Sequence, residues 1–403
     1  MFCVNCGKEL EEGRRFCISC GAEQAPAPRS TGGMRSMTKV IIGVIAVLLV
    51  AGAGVGIYLV VRGASSGNTD STTLPPPKDV VPGVKSEKLA FIDGKDIYTV
   101  GMDGSGRRKI TSRGDIVDFA VSPDGARIAF VAAPGTERVI FKMGPDGGNV
   151  SQVTLPENGL ADNPAFDPTG KYIYFTRVSP EDQANIEEAR PYGVGFERYS
   201  IAANKVDHLY TYGGLQEQSI QGLFADPAGV ALYFNHFGSD YPSSIPHKIS
   251  LGPPARDSVY MPMLRDTGKY SAVAFELTGF SKDGAYVSYF KQVLFAEQDQ
   301  NAGPTLEVDA CFKSTASGDE TVVATYVPSD ELQGEVSGME FSRVAASTYY
   351  FSKVATAGAT SLTLDFYRGR TGGSPALTGL NVSLAVDAEQ YTPLVWHLLA
   401  VKK

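Results

Sequence analysis

One pattern recurs five times between residues 88 and 403, and it leaves such a chain few folds to adopt. The clearest copies are 119–131 (FAVSPDGARIAFV) and 165–176 (AFDPTGKYIYFT). Weaker copies follow at 223–235, 278–290 and 339–351. Aligned on Gly125, Gly170, Gly229, Gly284 and Ala346, they stand 45, 59, 55 and 62 residues apart, the period of a propeller blade. In each copy a short apolar strand runs into a Pro-Asp-Gly-like turn, where proline sets φ and glycine accepts positive φ. An alternating strand rich in Tyr, Phe, Ile and Val follows, which makes the unit a hairpin.

Two further strand candidates follow each hairpin, for example Val139–Met143 and 150–154, or 361–368 and 376–378. Four antiparallel strands make a blade, and blades packed face to face around an axis bury both sheet faces while protecting the edges. Two fragments are left over. Residues 89–93, 97–100 and 108–111 supply late strands with no first strand. Residues 382–386 and 394–398 supply early strands with no continuation. Joined in one sheet they close a sixth blade, so the expected fold is an all-β six-bladed β-propeller, with seven blades as the alternative. Ser122-Pro123-Asp124-Gly125 followed by Ile128-Ala129-Phe130 resembles the TolB-type, WD40-like propeller repeat. The likeness covers nearly all of 88–403 and fades by the fifth copy. It implies a fold, and function only by analogy: members of that broad group mostly bind proteins, and some propellers carry hydrolase sites.

Four of the five cysteines stand in the first twenty residues, Cys3 and Cys6, then Cys17 and Cys20, each pair a CxxC followed directly by glycine. Two such knuckles complete a tetrahedral shell of four sulfurs that suits one Zn²⁺ and leaves no open position, so the expected site is structural. Large apolar residues beside them, Phe2, Leu10 and Phe16 among them, are too few to hold a fold without the metal. Disulfides and an iron–sulfur centre are the alternatives for the same cysteines. The segment CVNCGKEL to FCISCGAE is similar to the short zinc-ribbon knuckle at the start of many bacterial and archaeal membrane proteins, over about residues 2–23.

Residues 40–61 contain neither a charge nor a proline. As a helix they would extend roughly 33 Å, against a hydrocarbon core of about 30 Å, so a membrane span is expected rather than a shorter signal peptide. Arg29, Arg35 and Lys39 precede the run and Arg62 is the only base after it until Lys78, which sets the amino terminus in the cytoplasm and the larger part outside the cell. The reducing side also suits free thiolates. Gly52 and Gly56 form a GxxxG face on which two spans could pair as a weak homodimer. The expected organisation is a zinc ribbon at 1–24, a basic cytoplasmic linker at 25–39, a transmembrane helix at 40–61, a Pro/Ser/Gly-rich stalk at 62–87 and a propeller at 88–403.

The formal charge of −8 divides into +3 on residues 1–62 and −11 on the remainder, which argues against nucleic acid as the propeller's partner. His208, His236, His247 and His397 are expected in different blades, without metal-like spacing. Asp124, Asp167, Asp226 and Asp283 are explained by the hairpin turn they share. Cys311 reads as a buried strand residue. Polar insertions at 179–195, 236–246 and 296–304 are where a rigid ring carries recognition, and Tyr192, Phe196, Phe237 and Tyr241 are the candidates for an aromatic contact surface. The function expected from this pattern is a membrane-anchored propeller that binds a protein or an envelope polymer, with no catalytic residues assigned. An extracytoplasmic hydrolase using carboxylates near the channel is the second reading, and a transmembrane sensor is the third.

Overall fold

The computed structural model describes residues 86–216, 218–238, 244–265, 270–295, 306–328, 335–345, 347–358, 361–385 and 394–401. The ribbon, the linker, the span with Gly52 and Gly56, and nearly all of the stalk lie outside the described residues. The first described strands, β1 (Ser86–Asp93), β2 (Asp96–Gly101) and β3 (Arg108–Lys109), belong to a sheet whose innermost strand comes from elsewhere.

Five sheets of consecutive strands follow. Blade 1 is β4 (Ile116–Val121), β5 (Ile128–Ala132), β6 (Val139–Met143) and β7 (Ser151–Gln152). Blade 2 is β8 (Leu160–Phe166), β9 (Tyr172–Val178), β10 (Tyr192–Ser200) and β11 (Lys205–Leu215), with helix α1 (Pro180–Glu187) between β9 and β10. Blade 3 holds β12 (Ser219–Ala225), β13 (Ala231–Phe237), β14 (Ser244–Ser250) and β15 (Arg256–Val259). Blade 4 has five strands, β16 (Leu264–Arg265), β17 (Tyr270–Phe280), β18 (Tyr286–Phe295), β19 (Leu306–Ser314) and β20 (Glu320–Tyr326). Blade 5 is β21 (Val336–Phe341), β22 (Thr348–Ala357), β23 (Ser361–Arg370) and β24 (Ala376–Ala385). Finally β25 (Trp396–Val401) pairs antiparallel with β1 and closes blade 6. The fold is thus the six-bladed propeller, and seven blades are excluded. Residues 382–386 were expected in the closing blade, but 382–385 finish β24 at the outer edge of blade 5. Only the second terminal fragment crosses the gap, because one strand completes the four.

Every seam between neighbouring blades holds an apolar cluster. Phe119 and Phe130 of blade 1 meet Ile92 and Ile97 of blade 6, and Phe196 of blade 2 meets Leu232 and Phe234 of blade 3. Cys311, fully buried, packs beside Tyr289 and Leu277 against Tyr233 of blade 3. Burial on both sheet faces explains why β4 and β5 read as nearly continuous apolar runs rather than alternating ones.

The repeated turns are alike in detail. Gly125, Gly170, Gly229 and Gly284 have φ of 68°, 69°, 72° and 72°, and each amide donates to the carbonyl three residues back. Aspartate fills two different places in them. Asp124 and Asp283 accept from Ser122 and Ser281, whereas Asp167 and Asp226 occupy the serine's own position. The turns also stack around the ring, Gly170 against Pro123, Gly229 against Pro168 and Gly284 against Pro227. They therefore gather at one end of the axis. Ser86 and Val401 pair at that end too, since the turn at Gly125 packs directly on the Ala400 backbone. The connections that carry α1, 238–243 and 296–305 leave the second strand of each blade at the opposite end.

Candidate functional site

The innermost strands, β4, β8, β12, β17, β21 and β25, surround an axial cavity of about 450 Å³. Five of these strands carry a register shift near one level of the hairpin, just after it in β8, β12 and β17 and just before it in β4 and β21. Such a bulge frees backbone groups and re-aims side chains, which is how a strand can present polar groups to an axis otherwise lined by Phe and Leu. At one level, opposite the sixth residue beyond the turn glycine, stand Asp118, Asp162, Gln221 and Glu276. Asp118, Gln221 and Glu276 line the cavity.

Asp118 is 2% exposed and accepts the Phe119 amide at 2.8 Å. Burial, with the charge of Asp162 added, raises its pKa well above the carboxylate range. Asp162 is raised by burial as well, although Arg138 Nη1 donates to it at 2.6 Å. Arg138 is itself buried, so two acids share one cation at the seam of blades 1 and 2. In blade 4, Gln292 Nε2 lies 3.5 Å from Glu276 Oε2, and Gln292 Oε1 is buried without a partner.

At the turn end of the cavity the groups differ. Glu340 accepts from the Leu398 amide at 2.8 Å and from Arg343 Nη2 at 2.5 Å, with His397 Nδ1 at 3.6 Å. Burial works to raise the Glu340 pKa, but Arg343, His397 and the Leu398 amide hold it below the ordinary value. Arg343 Nη1 reaches over blade 6 to the Val121 carbonyl of blade 1 at 3.0 Å. Glu87 on β1 accepts from Ser342 Oγ and the Arg343 amide, while burial raises its pKa.

The histidines were expected in separate blades, but His236 and His247 share blade 3. Their rings stand 5.6 Å apart beside Tyr212, with Asp257 on His247 Nδ1 at 3.0 Å. Burial lowers the His236 pKa to about 4 and leaves its Nε2 without a partner. Among the described residues no group of three or more His, Cys, Asp or Glu is gathered to hold a metal ion.

Two of the four residues expected on an aromatic contact surface, Tyr192 and Phe196, are buried. Tyr192 is 6% exposed, with its hydroxyl donating to the Gln218 carbonyl, and Phe196 is fully buried against Phe234. Both belong to β10, whose pairing begins at Tyr192, three residues before the expected loop end at 195. Phe237 is partly buried at the end of β13. Tyr241 and the expected zinc ligands Cys3, Cys6, Cys17 and Cys20 lie outside the described residues. Sequence reasoning missed Asp118, Glu276, Lys282 and Arg343. The signal available was their offset from the turn glycine, the one register the repeat supplies.

Comparison with known proteins gives three results. Residues 2–24 match the family model of a zinc-ribbon domain. No curated protein matches the chain. Among solved structures, TolB from Acinetobacter baumannii superposes with a TM-score of 0.50 at 17% identity, over 79% of this chain and 68% of that one. A putative TolB from Agrobacterium tumefaciens (0.40, 14%, 61% and 91%) and prolyl oligopeptidase B from Galerina marginata (0.44, 10%, 76% and 52%) are more remote. At such identities the likeness is one of fold. The chain joins an N-terminal zinc-ribbon domain to a TolB-like six-bladed propeller.

Proposed function

We propose that this chain is a membrane-anchored binding module whose propeller stands outside the cell and engages a protein or an envelope polymer. One observation carries the reading: Ser86 and Val401 meet at the turn end of the ring, while the long insertions leave from the other. A stalk joined at Ser86 hangs the ring by its turn end and presents the insertions outward. Within the ribbon, the four thiolates of Cys3, Cys6, Cys17 and Cys20 are a donor set suited to one structural zinc, and the metal supplies the folding free energy that so few apolar residues cannot. The test is crosslinking on cells through residues of α1. Recovery of an outside partner supports binding. No partner, together with turnover of a glycan or peptide by the purified protein, overturns it.

A specific feature favours a second reading. Asp118 and Glu276 stand at one level of blades 1 and 4, on opposite sides of the ring, and both line the cavity. A carboxyl with a raised pKa and a second carboxylate lining the same cavity is the kind of pair that acid-catalysed hydrolysis uses. Hydrolysis of a glycan or peptide that is lost in both Asp118→Asn and Glu276→Gln would establish this reading.

A further inference from the structure

Position two of the repeated turn separates the blades into two groups. Blades 1, 2 and 3 place Pro123, Pro168 and Pro227 there, and blades 4 and 5 place Lys282 and Arg343. All five line the axial cavity at its turn end. Proline is the residue this position favours, because it fixes φ and lowers the entropy of the unfolded chain. Two adjacent blades give up that advantage, and both put a cation at the same mouth.

The two cations are held differently. Arg343 is fixed by Glu340 and the Val121 carbonyl, and its Nε is buried with no partner. Lys282 is exposed, and no carboxylate of the described residues lies within ion-pair reach of it. Its neighbour Asp283 is engaged by Ser281 and the Ala285 amide. Glu340, Glu87 and His397 near this mouth are tied to Arg343 and to one another, and the turn carboxylates Asp124, Asp167 and Asp226 at this end each accept a backbone amide of their own turn. The wall beside the cations is apolar, formed by Phe224, Phe280, Phe341 and the three prolines.

We infer that the turn-end mouth of the cavity binds an organic carboxylate on an apolar body, with Lys282 taking the charge and the Phe and Pro wall taking the body. Arg343, paired with Glu340, fixes the shape of the mouth beside Lys282. This inference goes beyond the binding reading, for it adds a small-ligand site at the end of the ring opposite the insertions. The carboxylate's source is either a free acid or the end of a peptide chain.

The test uses the full chain in nanodiscs and four probes: 3-phenylpropionate, 3-phenylpropionamide, the peptide Ala-Phe-Ala-Phe with a free carboxyl terminus, and its amide. The acids are expected to bind at least roughly tenfold tighter than their amides, since charge-assisted bonds are the strong ones. Lys282→Gln should remove that preference and Lys282→Arg should restore it. A tetrapeptide acid that binds well above phenylpropionate identifies a chain end, and equal binding identifies a free acid; both support the site. Equal affinity for acids and amides, an unchanged preference in Lys282→Gln, or binding of an oligouronate but neither acid overturns it.

Discussion

The side-chain amide of Asn235 on blade 3 takes both backbone groups of Leu277 on blade 4: Oδ1 accepts the amide at 2.7 Å and Nδ2 donates to the carbonyl at 2.9 Å. Those groups are free because the register shift between Leu277 and Gly279 interrupts β17. Neighbouring seams use other residues for the same end. Asn163 Oδ1 accepts the Gly222 amide, and Trp396 Nε1 donates to Ser352 Oγ. The axis is therefore built by polar clamps laid over apolar seams.

Replacing Asn235 with Ala leaves two buried backbone groups unpartnered, at about 1–3 kcal/mol each. Chemical denaturation should show a loss of roughly 2 kcal/mol or more. Asn235→Asp should lose as much or more, because a carboxylate faces the Leu277 carbonyl. A loss below about 0.5 kcal/mol would show that the clamp does not hold the seam.

Gly125→Ala and Gly104→Ala both place a Cβ at positive φ, 68° and 80°. The first Cβ would stand 1.9 Å from the Ala400 carbonyl, and the second meets nothing within 4 Å. Gly104→Ala should cost about 1–2 kcal/mol from backbone strain. Gly125→Ala should cost clearly more and release β25. Thermal melting with hydrogen exchange at Leu398–Ala400 separates the two.

Asp118 has its pKa raised by burial, so its stabilising contribution is complete below the ordinary carboxylate range and is lost as pH rises through the folded value. Asp118→Asn should therefore stabilise the propeller at pH 7 to 8, with the gain shrinking toward pH 4. Glu340 has the opposite sign, and its contribution fails as pH falls through its lowered value. Denaturation across pH checks both.

In the ribbon, Cys6→Ser should take the zinc content of the purified chain from one per molecule to none. The propeller's melting should not change. Retention of one tight zinc would show that the four-sulfur assignment is wrong.

The blade count was legible because a turn such as Ser122-Pro123-Asp124-Gly125 is local, and the geometry it needs is written in four adjacent residues. Closure by both chain ends was legible as well, from strands without partners at 89–93 and 394–398. Which terminal fragment crosses the gap was not, since 382–386 and 394–398 carry the same strand pattern and only long-range pairing separates them. The site was less legible for a physical reason. Phe196 and Phe237 each stand beside or within a polar insertion, and whether each packs depends on the neighbouring blade. Asp118 in an apolar strand carries no local mark of the cavity it faces.

The most direct test of the account is labelling of intact cells with a membrane-impermeant maleimide, using Ala316→Cys in the exposed β19–β20 turn and Ser30→Cys in the linker. The account predicts that Ala316→Cys reacts on intact cells and Ser30→Cys reacts only after lysis. The reverse pattern would contradict it.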